Sequence, residues 1–106
     1  MRTEKDHLLI KGIIREIGTL EQGETWKKQE FTIETIEKYP KELRISCWNN
    51  NIEWLSRCKD QDLVNVFFNV QSRSYNGKWF TEVSAWRIDI DVKGMLEAKK
   101  GAEDGR

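Results

Sequence analysis

Asn76-Gly77, in the run SRSYNGKWFTEVSAW at residues 72–86, constrains the fold of this chain more than any other feature. An Asn-Gly pair between alternating apolar runs is the strongest local signal for a tight hairpin, because both residues tolerate positive φ. A two-residue loop also sets register. Tyr75 should face Lys78, Ser74 Trp79 and Arg73 Phe80, with the pairing running on through Val70–Val83 and Phe68–Ala85 to Phe67–Trp86. One face of the hairpin then carries Val64, Val66, Phe68, Val70, Val83 and Ala85 and is the expected interior. Trp79 falls on that face near the tip, where its ring would lid the core with only an edge exposed. The other face carries Phe67, Arg73, Tyr75, Lys78, Phe80, Glu82 and Trp86. It is too aromatic for a plain solvated surface and too polar for a core.

The rest of the chain supplies three more strands and one helix. Residues 8–17, LLIKGIIREI, read as a long strand in which Gly12 predicts a bulge or a bend. Residues 18–28 read as a loop with two glycines. Residues 29–37 alternate, placing Phe31, Ile33 and Thr35 on one side. Residues 43–48 place Leu43, Ile45 and Cys47 inside and Arg44, Ser46 and Trp48 outside. The period then changes: Ile52 and Leu55 are three apart, Trp54 and Cys58 four apart, and Asn50 or Asn51 can cap a short helix. Three strands, a short helix and two strands is the order of an OB-fold, a five-stranded Greek-key β-barrel in an all-β chain, with the helix between strands 3 and 4. One domain is expected over residues 1–90, followed by a flexible tail over 91–106 that opens on a short helical turn.

Lysine plus arginine and aspartate plus glutamate both number 18, so the formal net charge is zero. That excludes a globally basic nucleic-acid binder but not a local patch. Five tryptophans in 106 residues are more than a small core hides, so some should meet a partner or stack on a ligand. No apolar run is long enough to span a membrane and no signal peptide is visible, which predicts a cytoplasmic protein. Cys47 and Cys58 form neither a disulfide framework nor a CxxC pair, and no metal or cofactor is expected. The single histidine, His7, lies near the N-terminus and completes no catalytic arrangement, so the chain is not expected to be an enzyme.

The segments KGIIREIG (11–18), WKKQEFTIET (26–35), KYPKELRISCW (38–48) and LVNVFFNVQSRSYNGKWFTEVSAWRID (63–89) together resemble an uncharacterised bacterial OB-fold family, common in Bacteroidetes. That family is similar in layout to single-stranded DNA-binding proteins and to primosomal replication protein B. The resemblance implies that the last hairpin and the loop after the first strand grip a nucleic-acid strand. The matching positions are Trp26, Lys27 and Lys28 in the loop and Arg73, Tyr75, Asn76, Lys78 and Trp79 in the hairpin. The acidic, glycine-rich tail with an apolar tip that recruits partners in such proteins has no counterpart here.

Single-stranded nucleic acid needs cations along a phosphate track and flat rings for the bases, each stacked base adding about 1–3 kcal/mol. On an OB-fold the second and third strands, with the loops between strands 1–2 and 4–5, offer that surface. The candidate set is therefore Trp26, Lys27, Lys28, Arg44, Trp48, Arg73, Tyr75, Lys78 and Trp79, with Glu30 and Glu34 close enough to repel phosphate. The expected function is single-stranded nucleic-acid binding, DNA ahead of RNA, in replication, recombination or repair. The alternative is a protein-interaction OB module. Phe67 opposite Trp86 either stabilises the sheet or is buried between subunits of a homodimer or higher oligomer.

Overall fold

The computed structural model describes residues 8–94; His7 and residues 95–106 of the expected tail lie outside the described residues. The strands are β1 (Leu8–Ile17), β2 (Glu21–Gln22), β3 (Lys27–Thr35), β4 (Glu42–Trp48), β5 (Leu63–Tyr75) and β6 (Lys78–Ile90). A 3₁₀ turn over Asn49–Asn51 and a short helix α1 (Ile52–Ser56) connect β4 to β5. The ring runs β1-β5-β6-β4-β3 and closes when β3 pairs back to β1. β4 meets β6 in parallel at Ser46 and Ser84, and the other pairings are antiparallel. This is the expected OB-type barrel with its helix between the third and fourth long strands. β2 is an addition: two residues of the expected loop pair with Lys27 and Lys28.

Closure depends on β1 serving two partners. Leu8–Ile13 pair with β5 and Gly12–Ile17 with β3, so Gly12 sits where the strand passes from one to the other. A Cβ there would stand 2.8 Å from the Glu34 carbonyl oxygen and 2.9 Å from Ile33 Cδ1. Gly12 thus marks a close approach of backbones. The irregularity in register lies further on, between Ile14 and Glu16.

The core is Ile14, Phe31, Ile33, Ile45, Cys47, Val64 and Val66, with Leu55 of α1 closing one end beside Cys58. The predicted asparagine cap is absent: Asn51 makes no side-chain bond to the helix. Asn49 works instead, its Oδ1 accepting from the Lys27 N–H at 2.9 Å and so tying the start of β3 to the turn.

Two expectations for the last hairpin are corrected. First, Val70 is 51 % exposed, and Phe68 and Val83 are only half-buried. β5 and β6 have 13 residues each and outrun the barrel, so residues 71–81 project as a two-stranded arm exposed on both faces. Second, a register shift makes Trp86 the extra residue of a bulge: Phe67 pairs with Arg87 and Phe68 with Ala85. The bulge turns Ile88 into the core and Arg87 outward. The rings of Phe67 and Trp86 still meet, 5.4 Å apart and tilted by 51°.

Candidate nucleic-acid interface

The outer face of β3 and β4 is built from the directly opposed pairs Lys28–Trp48, Glu30–Ser46 and Thr32–Arg44. Alternation sends Phe31, Ile33, Ile45 and Cys47 inward, so these groups share the outer face, but Ser46, expected outside, is buried there because β6 pairs against it at Ser84. They form a ladder of alternating charge. Glu16 binds Arg44 at 3.0 Å, Arg44 binds Glu30 at 3.4 Å, and Glu30 binds Lys28 at 3.4 Å. Lys28 reaches Glu82 at 3.6 Å, and Glu82 reaches Arg73 at 4.0 Å. The ladder thus links the sheet to the base of the arm. Burial raises the Glu30 carboxyl pKa, but Lys28 and Arg44 outweigh it and hold the group below its ordinary value. Glu30 therefore stays charged below the usual carboxylate range, and its pairing is lost only as pH falls through that lowered value.

Exposed pairs of this kind contribute little to stability, about 0–1 kcal/mol each. Their consequence is electrostatic. Three of the cations assigned to a phosphate track, Lys28, Arg44 and Arg73, already hold carboxylates. Lys27 and Lys78 make no ion pair among the described residues. Glu34, expected to repel phosphate, pairs instead with Arg15 at 3.0 Å.

Trp48 is half-buried. Its indole N–H donates to Glu82 at 3.2 Å, and the Lys28 ammonium lies 5.1 Å from its ring centre. Trp26 packs at 5.9 Å from Trp48, tilted by 58°, and remains 41 % exposed. Gly23 makes this possible, since a Cβ there would collide with the Trp26 indole nitrogen. The Gly23 N–H also donates to the Trp26 carbonyl at 2.9 Å, closing the turn between β2 and β3.

The arm ends in a turn in which Asn76 and Gly77 both have positive φ, 51° and 78°, as a type I′ turn requires. Trp79 does not lid the barrel: it is 72 % exposed, because the arm carries it beyond the core it was expected to cover. Tyr75 is 68 % exposed. Tyr75 pairs with Lys78 on one face of the arm and Trp79 with Ser74 on the other, so the tip presents rings on both sides. Ser72 and Thr81, whose hydroxyls are 2.8 Å apart, bridge the strands beneath Trp79. The structure thus brings Trp26, Lys28, Arg44, Trp48 and Arg73 into one network and holds Tyr75, Lys78 and Trp79 apart at the tip.

A second cation–aromatic cluster went unrecognised in the sequence. Arg87 lies 5.6 Å from the Phe67 ring and 5.9 Å from Trp54 of α1, and Arg57 lies 5.2 Å from Trp54. Only the bulge places Arg87 there; strict alternation would turn it inward with Val83 and Ala85. Cys47 and Cys58 are buried, which pushes their thiols up to about 12 and about 11. Both stay protonated at neutral pH and pack as small apolar groups. Asp91 binds Lys11 at 3.0 Å and Asp89 binds Arg87 at 3.0 Å. No metal-ligating cluster occurs among the described residues, and no helix there is long and apolar enough to cross a membrane.

No curated protein matches by sequence. Solved structures do match by fold. The SSB domain of a protein from Synechococcus sp. superposes with a TM-score of 0.63 at 16 % identity, over 83 % of this chain and 98 % of that one. The second single-stranded DNA-binding protein of Mycobacterium smegmatis gives 0.66 at 15 % identity, over 83 % and 90 %. The dimeric N-terminal domain of the PriB protein from Thermoanaerobacter tencongensis gives 0.57 at 18 % identity, over 82 % and 97 %. Identities this low establish the OB-fold and nothing finer. The match to a sequence family is more direct, since it runs over residues 9–89, from the start of the first barrel strand almost to the end of the last: the chain belongs to the family described as a domain of unknown function, DUF3127.

Proposed function

We propose that this protein binds single-stranded nucleic acid, DNA ahead of RNA, as a cytoplasmic module of replication, recombination or repair, by stacking rather than by charge. The observation that carries this reading is the arm tip. Tyr75, Trp79 and Phe80 are large rings held in water on a two-stranded arm, with Lys78 and Arg73 between them. Core packing does not require them there, and exposed rings beside cations suit unstacked bases. The fold neighbours named as single-stranded DNA-binding proteins support the same reading. The test is titration with oligo-dT at two salt concentrations, read by tryptophan emission. Quenching at low salt is expected, with a shallow salt dependence. If Lys27 and Lys78 alone meet phosphates, two contacts at about 0.7 each give a log–log slope of roughly −1.4. Absence of quenching with both DNA and RNA at low salt rejects the reading.

The ladder makes an unusual prediction: removing a carboxylate should improve binding. Glu82→Gln keeps an acceptor for the Trp48 indole N–H but releases Arg73, while Glu30 still holds Lys28. Affinity should rise about 3- to 10-fold at low salt, and the slope should steepen by roughly 0.7 for the cation set free. Unchanged affinity and slope would show that the strand does not touch this face.

A protein-docking role is the second reading, favoured by the electrically neutral ladder and by the Phe67–Trp86–Trp54 cluster. The same cluster motivates a homodimer or higher oligomer. Leu9, which is exposed, lies directly opposite Phe67 and extends the apolar strip to the neighbouring strand. That the PriB domain is dimeric is consistent with this. Sedimentation at high micromolar concentration should give more than a monomer, and Trp86→Ala should move the distribution toward monomer. A strict monomer before mutation rejects the interface.

A further inference from the structure

An open groove of about 650 Å³ lies between the segment that carries β2 and the turn that carries α1. It falls within the about 300–1,000 Å³ typical of small-ligand sites. Trp26, Leu20 and Ile52 supply its apolar lining, and Glu24, Glu53 and Asn50 are among its polar groups. Trp26 joins the two surfaces, because it both lines this groove and packs on Trp48 at the edge of the ladder.

The acids of the groove differ from those of the ladder. Glu16, Glu30 and Glu82 each hold a cation. Glu24 and Glu53 make no ion pair and no side-chain hydrogen bond among the described residues, so their acceptor oxygens are available. Lys27 is the one cation among the described residues that line the groove. A phosphate seated inside the groove would meet two carboxylates against one ammonium and is disfavoured there, which leaves Lys27 to the strand's backbone beside the seated base. A neutral flat ring that stacks on Trp26 and offers N–H donors is favoured. The exocyclic amino groups of cytosine, adenine and guanine are such donors, and glutamate accepts from cytosine N4 in just this way. Thymine and uracil offer a single N3–H flanked by two carbonyl oxygens, which a carboxylate repels, and present O4 where cytosine presents its amino group.

We propose that this groove takes one unstacked, amino-bearing base of the bound strand, stacked on Trp26 with its amino group on Glu53 or Glu24, and that it selects against thymine and uracil. The inference rests on the single-strand reading and names a base preference within it.

The experiment compares oligo-dC with oligo-dT of equal length at neutral pH, read by anisotropy of a labelled oligonucleotide, for the wild-type chain and for Glu24→Gln/Glu53→Gln. Both glutamates are exposed, so the substitutions spare the core. Wild type should bind oligo-dC about tenfold more tightly than oligo-dT. The double variant should lose most of that preference, since a glutamine amide can also donate to a thymine carbonyl. Tyr75→Ala should weaken both oligonucleotides alike and keep their ratio. Equal affinity of the wild type for the two strands overturns the groove and leaves strand binding intact. A preference that survives in the double variant also overturns it. Binding to neither strand overturns both readings together.

Discussion

Removing both rings from the arm tip, Tyr75→Ala with Trp79→Ala, is expected to weaken oligo-dT binding by about 2–6 kcal/mol. Each ring stacked on a base is worth about 1–3 kcal/mol, and the two should add. Additivity follows from the geometry: Tyr75 pairs with Lys78 on one face of the arm, Trp79 pairs with Ser74 on the other, and the rings share no partner. The arm itself should persist, because the Asn76-Gly77 turn and the Ser72–Thr81 hydroxyl contact remain. The salt slope should barely move, since no charge is removed. Lys78→Ala should do the opposite, flattening the slope by roughly 0.7 with a smaller loss of affinity. Anisotropy titrations of the variants at two salt concentrations separate the two effects. A double variant that binds like wild type would mean that the strand does not use the arm.

The largest expected loss of stability is at Phe31. Its side chain is fully buried between Ile17 of β1 and Ile45 of β4, its register partners at the centre of the ring. Phe31→Ala should cost about 3–5 kcal/mol, the transfer term plus the cavity left in a small barrel. For a domain of this size that corresponds to a fall in Tm of roughly 12–40 °C. Val70→Ala, at the base of the arm and half exposed, should cost far less, because little water returns when its methyl groups go. Thermal melts of the two variants compare barrel with arm. Similar losses would mean that the arm is packed rather than projecting.

The strand order, the helix position and the tip turn were legible in the sequence because each is local. Alternation in residues 29–35 and 43–47 names the buried side of β3 and β4, and no tertiary information is needed to place Phe31, Ile33, Ile45 and Cys47 inside. Asn76-Gly77 determined its own turn, because only that backbone allows two consecutive positive φ values at low cost. The bulge, too, left a trace: the apolar positions of β6 change parity from Val83 and Ala85 to Ile88 and Ile90. Hydrophobic burial of Ile88 requires the extra residue, and Trp86 is that residue.

Only the tertiary structure decided how far the barrel reaches and what its charges do. Alternation tells which way Val70 and Trp79 point, but not whether anything stands opposite them. The barrel ends before the 13-residue strands do, so the inward face of the arm meets water. The ladder is likewise non-local: Glu16, Lys28, Arg44, Arg73 and Glu82 come from five strands, and their pairing depends on a ring closed by β1 and on one parallel contact between β4 and β6. A formal charge of zero is a property of the sequence. That six charges of the ladder cancel pair by pair across the sheet face, leaving Lys27 and Lys78 without an ion pair among the described residues, follows from chain closure and from the few ångströms over which one charge can hold another.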